Sequence, residues 1–486
     1  MEKQKMKKII IALITVLASL SFVHAQSYDW AIASQGKIAD TGNAVCMDAE
    51  GNSYVTGSFS SSAFAIGGFS LTNTTITSTN PYDAFDMFVA KIDKTGKVVW
   101  AIQSNGAGEE RGIDIACDKT GHIAVVGIFK GAKATFGTTE LANLNTSSFS
   151  SFIMRINALG KVQWVQWADG KSSAEVYSVS CGPNGEIYIT GSFAHGVTFG
   201  GYEYKSKSGN NSSVFVAKYL SDGTLKWFEQ IHGKGYGGQN STQVGKAIFA
   251  TDDSKFVYVA GWFRGRVTFG NEEITSNDFF TDPRSNIFIT KYDSDGNTLW
   301  TRSIGRKQVY FSGDPEVTDI AVDAQENSYV TGHFPGILIF GNEEMKGVLS
   351  RGKSWNRDIF LAKYDSEGNH LWHRSAGGSD NDESHSIALT PNGVTITGTV
   401  SWGDVKFGDV QMAPGFPNLF VANYNADGKC LWAIGAKAVV SSIGKGIATD
   451  GTNTIVTGQY LANGITFGKI SLKGIGSGNF FAAKIK

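Results

Sequence analysis

A strand with glycine at its centre recurs seven times along the chain, a tryptophan precedes each copy, and the sequence opens on one strand and finishes on three. Together these features predict an all-β fold: a single seven-bladed β-propeller of four-stranded blades, its ring closed by the first tryptophan strand joining the last blade. The copies read "SYVTGSF", "IAVVGIF", "IYITGSF", "VYVAGWF", "SYVTGHF", "VTITGTV" and "TIVTGQY", with central glycines Gly57, Gly127, Gly191, Gly261, Gly332, Gly398 and Gly458, 60 to 71 residues apart. The tryptophans are Trp30, Trp100, Trp164, Trp227, Trp300, Trp372 and Trp432.

The elements follow in order. Residues 1–25 combine the basic "MEKQKMKK", an apolar run from Ile9 to Phe22 and small residues up to Ala25. This is the pattern of a secretory signal peptide, and its apolar run is short for a membrane span. Residues 26–486 are then expected to be the propeller, exported to the periplasm or the cell exterior, without a membrane span and monomeric.

Within each unit the tryptophan strand and a loop lead to a short inner strand such as "DIAVD", a tight turn, the glycine strand, an aromatic mark such as "TFG" or "IFG", and a third strand such as "FVAKID". A turn of the "DKTGK" or "DSDGN" type returns the chain to the next tryptophan. Period-two alternation and evenly spread turn residues support strands throughout. The central glycine is expected to let adjacent blades approach, with Phe59, Phe129, Phe193, Phe263 and Phe334 filling the wider space two residues on.

Composition narrows the function classes. Lys and Arg total 43 and Asp and Glu 44, without long blocks of one sign, so nucleic acid and anionic membranes are disfavoured as partners. Four cysteines make no disulfide framework, and Cys117 and Cys181, at matching places in neighbouring repeats, read as small apolar filler. No cofactor and no metal is expected. The "DSDGN" turn resembles half a calcium loop, but an Asp that bonds its own turn explains it more simply. No HExxH, GxSxG or P-loop pattern occurs.

The units "GNSYVTGSF…FVAKIDKTGKVVW" and "ENSYVTGHF…FLAKYDSEGNHLW" resemble the bacterial seven-bladed β-propeller repeat family, or SBBP repeats, over essentially all of residues 26–486. The resemblance implies the propeller fold and a structural or interaction module, with no family-wide catalytic motif to carry over.

Two neighbouring units carry insertions, since Trp227 precedes Gly261 by 34 residues and Trp300 precedes Gly332 by 32, against 26 or 27 elsewhere. Their loops bring His232, Lys234, Tyr236, Arg306, Lys307, Tyr310, Asp314 and Glu316 to the face opposite the tight turns, a composition suited to binding sugar or peptide. Arg111, Asp114, Tyr177, Asp319, His385 and Lys445 enter the inner strands and are expected to look into a central channel. The segment "GGSDNDESH" adds Asp380, Asp382, Glu383 and His385, read first as a solvated acidic loop. The favoured function is a non-catalytic scaffold binding a protein or glycan through its loop-rich face, with Arg111, Tyr177, His232, Tyr236, Arg306, Tyr310, Asp319, Glu383, His385 and Lys445 as ligand contacts. The alternative is a carbohydrate-active lyase or hydrolase with carboxylate, His or Tyr groups at the channel mouth.

Overall fold

The computed structural model describes residues 26–486 except 74–83, 107, 144–145, 147, 171–173, 207–211, 235–240, 277–284, 308–312, 351–353, 402, 413–417 and 462. Residues 1–25, read above as a signal peptide, and Tyr236 and Tyr310 therefore lie outside the described residues. The described chain is all-β, and none of it forms a helix long and apolar enough to cross a membrane.

Strands pair in sets of four. In the first unit Asp40–Met47, Ser53–Phe59, Asp86–Ile92 and Val98–Gly106 lie side by side in that order, each antiparallel to the next. The same order starts again at Glu109–Cys117, Ala174–Cys181, Thr242–Ala250, Glu316–Val322 and Glu383–Thr390. A last set, Ser441–Thr449, Thr454–Leu461 and Gly478–Ile485, takes its fourth strand from the other end of the chain. There Tyr28–Ala33 pairs with Gly478–Ile485, placing Trp30 opposite Lys484 and Ala31 opposite Ala483. The first strands of the sets pack against one another in sequence and line one cavity, so the sheets stand radially as in a β-propeller.

This arrangement explains the runs of apolar residues. The glycine strand Ser53–Phe59 is buried at every position because its sheet is covered on both faces by neighbours. The apolar core is divided among the seams between units. Phe129 and Phe152 of the second unit pack with Tyr54 and Val89 of the first, while Phe59 and Phe88 of the first pack with Ile455 and Phe480 of the last. The phenylalanines two residues beyond the glycines thus fill the seams, as the sequence suggests.

The central glycines have a different neighbour from the one expected. A Cβ on Gly57 would lie 1.9 Å from the Thr41 carbonyl oxygen, and on Gly398 1.9 Å from that of Glu383, both within the glycine's own sheet. The cause is a β-bulge: Gly42 faces Gly57, the next pair is Ala44 with Thr56, and the slipped backbone turns a carbonyl over the glycine. The same slip recurs in every described inner strand. Approach between units falls instead to inner-strand glycines: a Cβ on Gly42 would meet Thr457 Oγ1 of the last unit at 2.2 Å, and one on Gly245 would meet Thr190 Oγ1 of the third at 2.3 Å.

Two devices recur between successive units, each at six of the seven junctions among the described residues. The "FG" mark is the tip of a small hairpin, Lys133–Phe136 with Thr139–Ala142 in the second unit, whose first strand pairs with the end of the preceding tryptophan strand, Phe136 opposite Ser104. Its glycines, such as Gly137 at φ 61°, take the left-handed backbone that the tip requires. The tryptophans provide the second device. Trp100 Nε1 donates to Ala158 O at 3.1 Å and Trp300 Nε1 to Ser366 O at 2.9 Å, each in the tight turn of the following unit. The turn glycine lies under the indole, and a Cβ on Gly160 would come within 2.9 Å of the Trp100 ring. In "DSDGN" itself Asp293 Oδ1 accepts from the backbone N–H groups of Asp295 and Asn297, both at 2.9 Å, so this carboxylate caps its own turn.

Candidate functional site at the channel mouth

The bulge that explains the glycines also builds the site. In each inner strand it leaves one residue without a partner across the sheet: Asn43, Ile113, Tyr177, Lys246, Thr318, His385 and Lys445. All seven line a central cavity of about 480 Å³. A bulge re-aims a side chain, and here it does so once per unit around a single axis.

These side chains reach across to the next unit. Asn43 Nδ2 donates to Gly112 O at 2.7 Å, Thr318 Oγ1 to Ser384 O at 3.0 Å, and His385 Nδ1 to Gly444 O at 2.8 Å. Lys246 Nζ pairs with Glu316 at 2.9 Å and lies 4.6 Å from the centre of the Tyr177 ring, and the Tyr177 hydroxyl donates to Glu175. Lys445 Nζ donates to Asn43 Oδ1 at 3.1 Å. Burial, together with repulsion from Arg111, lowers the Lys445 ammonium to about 8, so it holds its proton less firmly than a surface lysine.

Arg111, expected to look into the channel, does not line the cavity: it pairs with Ile128 across the sheet, is ion-paired with Glu109, and its guanidinium lies 4.2 Å from the centre of the Phe85 ring. Glu383 bonds Arg357 and lies 3.5 Å from His385 Nε2, and the His385 hydrogen bond above all holds its carboxyl down at about 2. Near it, buried His333 lies 3.9 Å from Glu316, and burial lowers its imidazole.

Asp114 and Asp319 on the inner strands line the cavity, but each carboxylate is engaged by the next unit. Asp319 Oδ2 accepts from Ser386 Oγ and Ile387 N, both at 2.9 Å, and Asp114 Oδ2 from Ser178 Oγ and Val179 N, also at 2.9 Å. Burial raises Asp319 to about 7 and raises Asp114 as well. Both therefore act as staples between units.

The insertion residues divide. His232 lies in the short strand His232–Lys234 opposite Thr268, and Arg306, buried, lies within Thr298–Lys307 opposite Leu338. Both segments receive a hairpin, as the tryptophan strand Val98–Gly106 does in a unit without an insertion, so His232 and Arg306 lie in strand and the added length falls between these strands and the inner strands Thr242–Ala250 and Glu316–Val322. Lys307 pairs with Glu344 at 2.8 Å and Asp314 with Arg264 at 3.3 Å. The acidic segment is not uniformly solvated: Asp382 is fully buried, accepting from Gly378 N at 2.7 Å and Ser401 N at 2.8 Å. Cys46, Cys117 and Cys181 are free and line the cavity beyond the bulges, while Cys430 is buried in a seam.

Asn43, Lys246 and Thr318 are polar cavity residues that sequence reasoning missed. The bulge positions carry a signal, because each lies 13 to 15 residues before its central glycine.

No family model matches the chain. It is similar to an uncharacterized WD repeat-containing protein, L264, of Acanthamoeba polyphaga mimivirus, 20% identical over 450 residues covering 77% of this chain and 32% of the relative. The chain thus spans about a third of the length of the curated relative it matches. Among solved structures it is similar to the β-propeller domain of Myceliophteria thermophila Cps50 (Swd1), with TM-score 0.40, 7% identity and coverage of 94% of this chain and 99% of that one. It is also similar to a Dyadobacter fermentans protein of unknown function, with TM-score 0.41, 9% identity and coverage of 96% and 100%. A third is Sqt1 of Chaetomium thermophilum, with TM-score 0.41, 10% identity and coverage of 89% and 97%.

Proposed function

We propose that the chain is an exported, monomeric seven-bladed β-propeller of the SBBP type, closed by the Trp30 strand, and that it is a non-catalytic scaffold binding a protein or glycan at the channel mouth. The observation that carries the binding reading is the ring of bulge residues. A common backbone device presents seven positions around one cavity, and they hold dissimilar side chains: amide, aliphatic, phenol, amine, hydroxyl and imidazole. Dissimilar groups on a repeated frame suit one off-axis ligand better than a symmetric ion cage. Lys246 and His385 in the cavity lining lie beside Glu316 and Glu383, which favours a partner of mixed charge. Export is supported by the leader-like residues 1–25, and ring closure by the pairing of Tyr28–Ala33 with the last unit.

The carbohydrate-active alternative needs available carboxylates. Asp319 is bound by Ser386 and Ile387, and Glu383 by Arg357 and His385. The scaffold reading is therefore the stronger.

The test pairs binding with turnover. Immobilised residues 26–486 should capture an envelope or secreted protein, or a polysaccharide from a defined panel, and the triple variant Tyr177→Ala, His385→Ala, Lys445→Ala should lose that capture while keeping its circular dichroism. Polysaccharide cleavage by the parent chain, abolished in Asp319→Ala, Glu383→Ala, His385→Ala, would replace this reading with the enzymatic one.

A further inference from the structure

We propose that Glu343, His370 and His373 form a binding site for one zinc-class divalent cation on the outer flank of the fifth unit, away from the channel. The backbone brings the two histidines together. Residues three apart on a regular strand point to opposite faces. Here Lys363 faces Trp372 and the next pair is Tyr364 with His370, so Leu371 is passed over and His370 and His373 come to the same face. The corresponding slip in other units gathers Val98 with Ala101, Val162 with Val165, and Thr298 with Thr301. The sixth unit gathers Cys430 with Ala433 and the third Leu225 with Phe228, so among these units the fifth alone carries two imidazoles.

The hairpin above them completes the set. Ile337–Phe340 and Glu343–Lys346 fold over this face, and the Phe340 ring stacks on both imidazoles, with centroids 5.1 Å from His370 and 4.6 Å from His373. Stacking holds both rings in place before any cation arrives, and His370 also hydrogen-bonds the Trp372 backbone, an outer contact of the kind that orients a metal-binding imidazole. His370 Nε2 lies 3.3 Å from His373 Nδ1, and His373 Nδ1 lies 3.7 Å from Glu343 Oε2. All three donor atoms fall within 4.8 Å of one another, the one such group of His, Cys, Asp or Glu among the described residues.

These separations suit the cation's geometry. Zinc bonds of about 2.0–2.1 Å at tetrahedral angles place neighbouring donors roughly 3.3–3.4 Å apart. The edge between the histidines matches, and the two edges to Glu343, both within 4.8 Å, shorten on rotation of its side chain, which is 68% exposed. Two imidazoles and one carboxylate select a zinc-like ion over calcium or magnesium, which prefer oxygen donors. Three protein donors leave a fourth position for water or an added ligand. The proposal does not depend on what the channel mouth binds.

The test is calorimetric titration of tag-free, chelator-stripped residues 26–486 with Zn²⁺, repeated with Co²⁺ to read tetrahedral d–d absorption. One cation per chain is expected. His373→Ala and His370→Ala should each weaken binding by more than the roughly 10–100-fold that loss of an outer-shell partner costs. Glu343→Gln should weaken it about tenfold or more, and His195→Ala, on an exposed turn elsewhere, should change nothing. Should the histidine variants fail to fold, the exposed Glu343→Gln still decides. Absence of Zn²⁺ binding by the folded chain, or equal affinity in Glu343→Gln and the parent, overturns the proposal.

Discussion

Six of the seven tryptophans lie over a tight turn of the following unit, from Trp30 on Lys94 O at 3.2 Å to Trp372 on Ala426 O at 3.0 Å, whereas Trp432 faces the place where the chain ends meet. No turn joins the third and fourth strands of the last unit, because the third is Gly478–Ile485 and the fourth is Tyr28–Ala33. Trp432 packs instead in the seam with Tyr28 and Ala31. Ser27 and Lys486 exchange backbone hydrogen bonds of 3.3 and 3.0 Å, and Asp29 lies 2.8 Å from Lys486 and 3.6 Å from Lys484. These ion pairs are largely solvated and contribute little. The composite unit therefore rests on strand pairing and apolar burial, while the other six add a covalent turn locked under an indole.

The comparison breaks most sharply at Ile32, which faces Ala482. Ile32→Pro should cost about 3 kcal/mol or more in denaturant unfolding. Because no turn retains its strand, hydrogen exchange should rise selectively over residues 28–33. Ile102→Pro, in the tethered strand Val98–Gly106, should instead leave its own strand protected beyond the substituted pair.

Gly57→Ala places a methyl 1.9 Å from the Thr41 carbonyl oxygen and should cost about 3 kcal/mol, through forced movement of the bulge. Chemical denaturation measures it, and an equal loss is expected for Gly458→Ala in the composite unit, where Ile443 O lies at the same 1.9 Å. A much smaller loss at Gly458 would mean that the last unit is looser than the rest.

Proton linkage should act on both regions. Asp40, on the inner strand beside the closing seam, is raised to about 6 by burial, and Asp358 in the fifth unit to about 8. Buried Asp86 and Glu110 are both raised, by burial and, for Glu110, by its carboxylate neighbour. A carboxyl whose folded pKa exceeds its unfolded value of about 4 binds its proton more tightly when folded, so stability is greatest near or below pH 4 to 5 from these groups and falls as pH rises toward 8. The melting temperature should drop on the order of 5 °C between about pH 5 and pH 8. Asp358→Asn should flatten that slope, and an unchanged slope would sink the assignment.

The smallest effect sharpens the contrast itself. Trp100→Phe loses one indole hydrogen bond and should cost about 1 kcal/mol beyond the change in ring size, whereas Trp432→Phe should lack that component. Equal losses in thermal unfolding would show that the turn lock contributes nothing.

Much of this architecture was legible in the repeat. Period and composition pointed to strands, and the split of one opening strand from three closing strands pointed to their pairing. Tyr177, His385 and Lys445 were found because they interrupt apolar inner strands with polar groups. Lys246 and Thr318 were missed because a bulge changes which face a residue takes, and period-two reading assumes an unbroken strand. An unbroken strand would likewise put His370 and His373 on opposite faces, and the hairpin at the "FG" mark was not foreseen. Gly57 was correctly read as a close-packing site, yet its neighbour is a carbonyl of its own sheet, which side-chain patterns do not reveal. Arg306 was placed in the insertion loop, but it precedes the added length and belongs to the strand end that meets the hairpin Ile337–Lys346, as the corresponding strand ends do in other units.

Zero-length carbodiimide cross-linking of residues 26–486, followed by peptide mass spectrometry, tests the joining of the chain ends most directly. The account predicts an Asp29–Lys486 or Asp29–Lys484 link within monomeric chains, formed alongside the Lys133–Glu140 link expected from their 2.6 Å separation. Appearance of the Lys133–Glu140 link without any bond from Asp29 to either terminal lysine would contradict it.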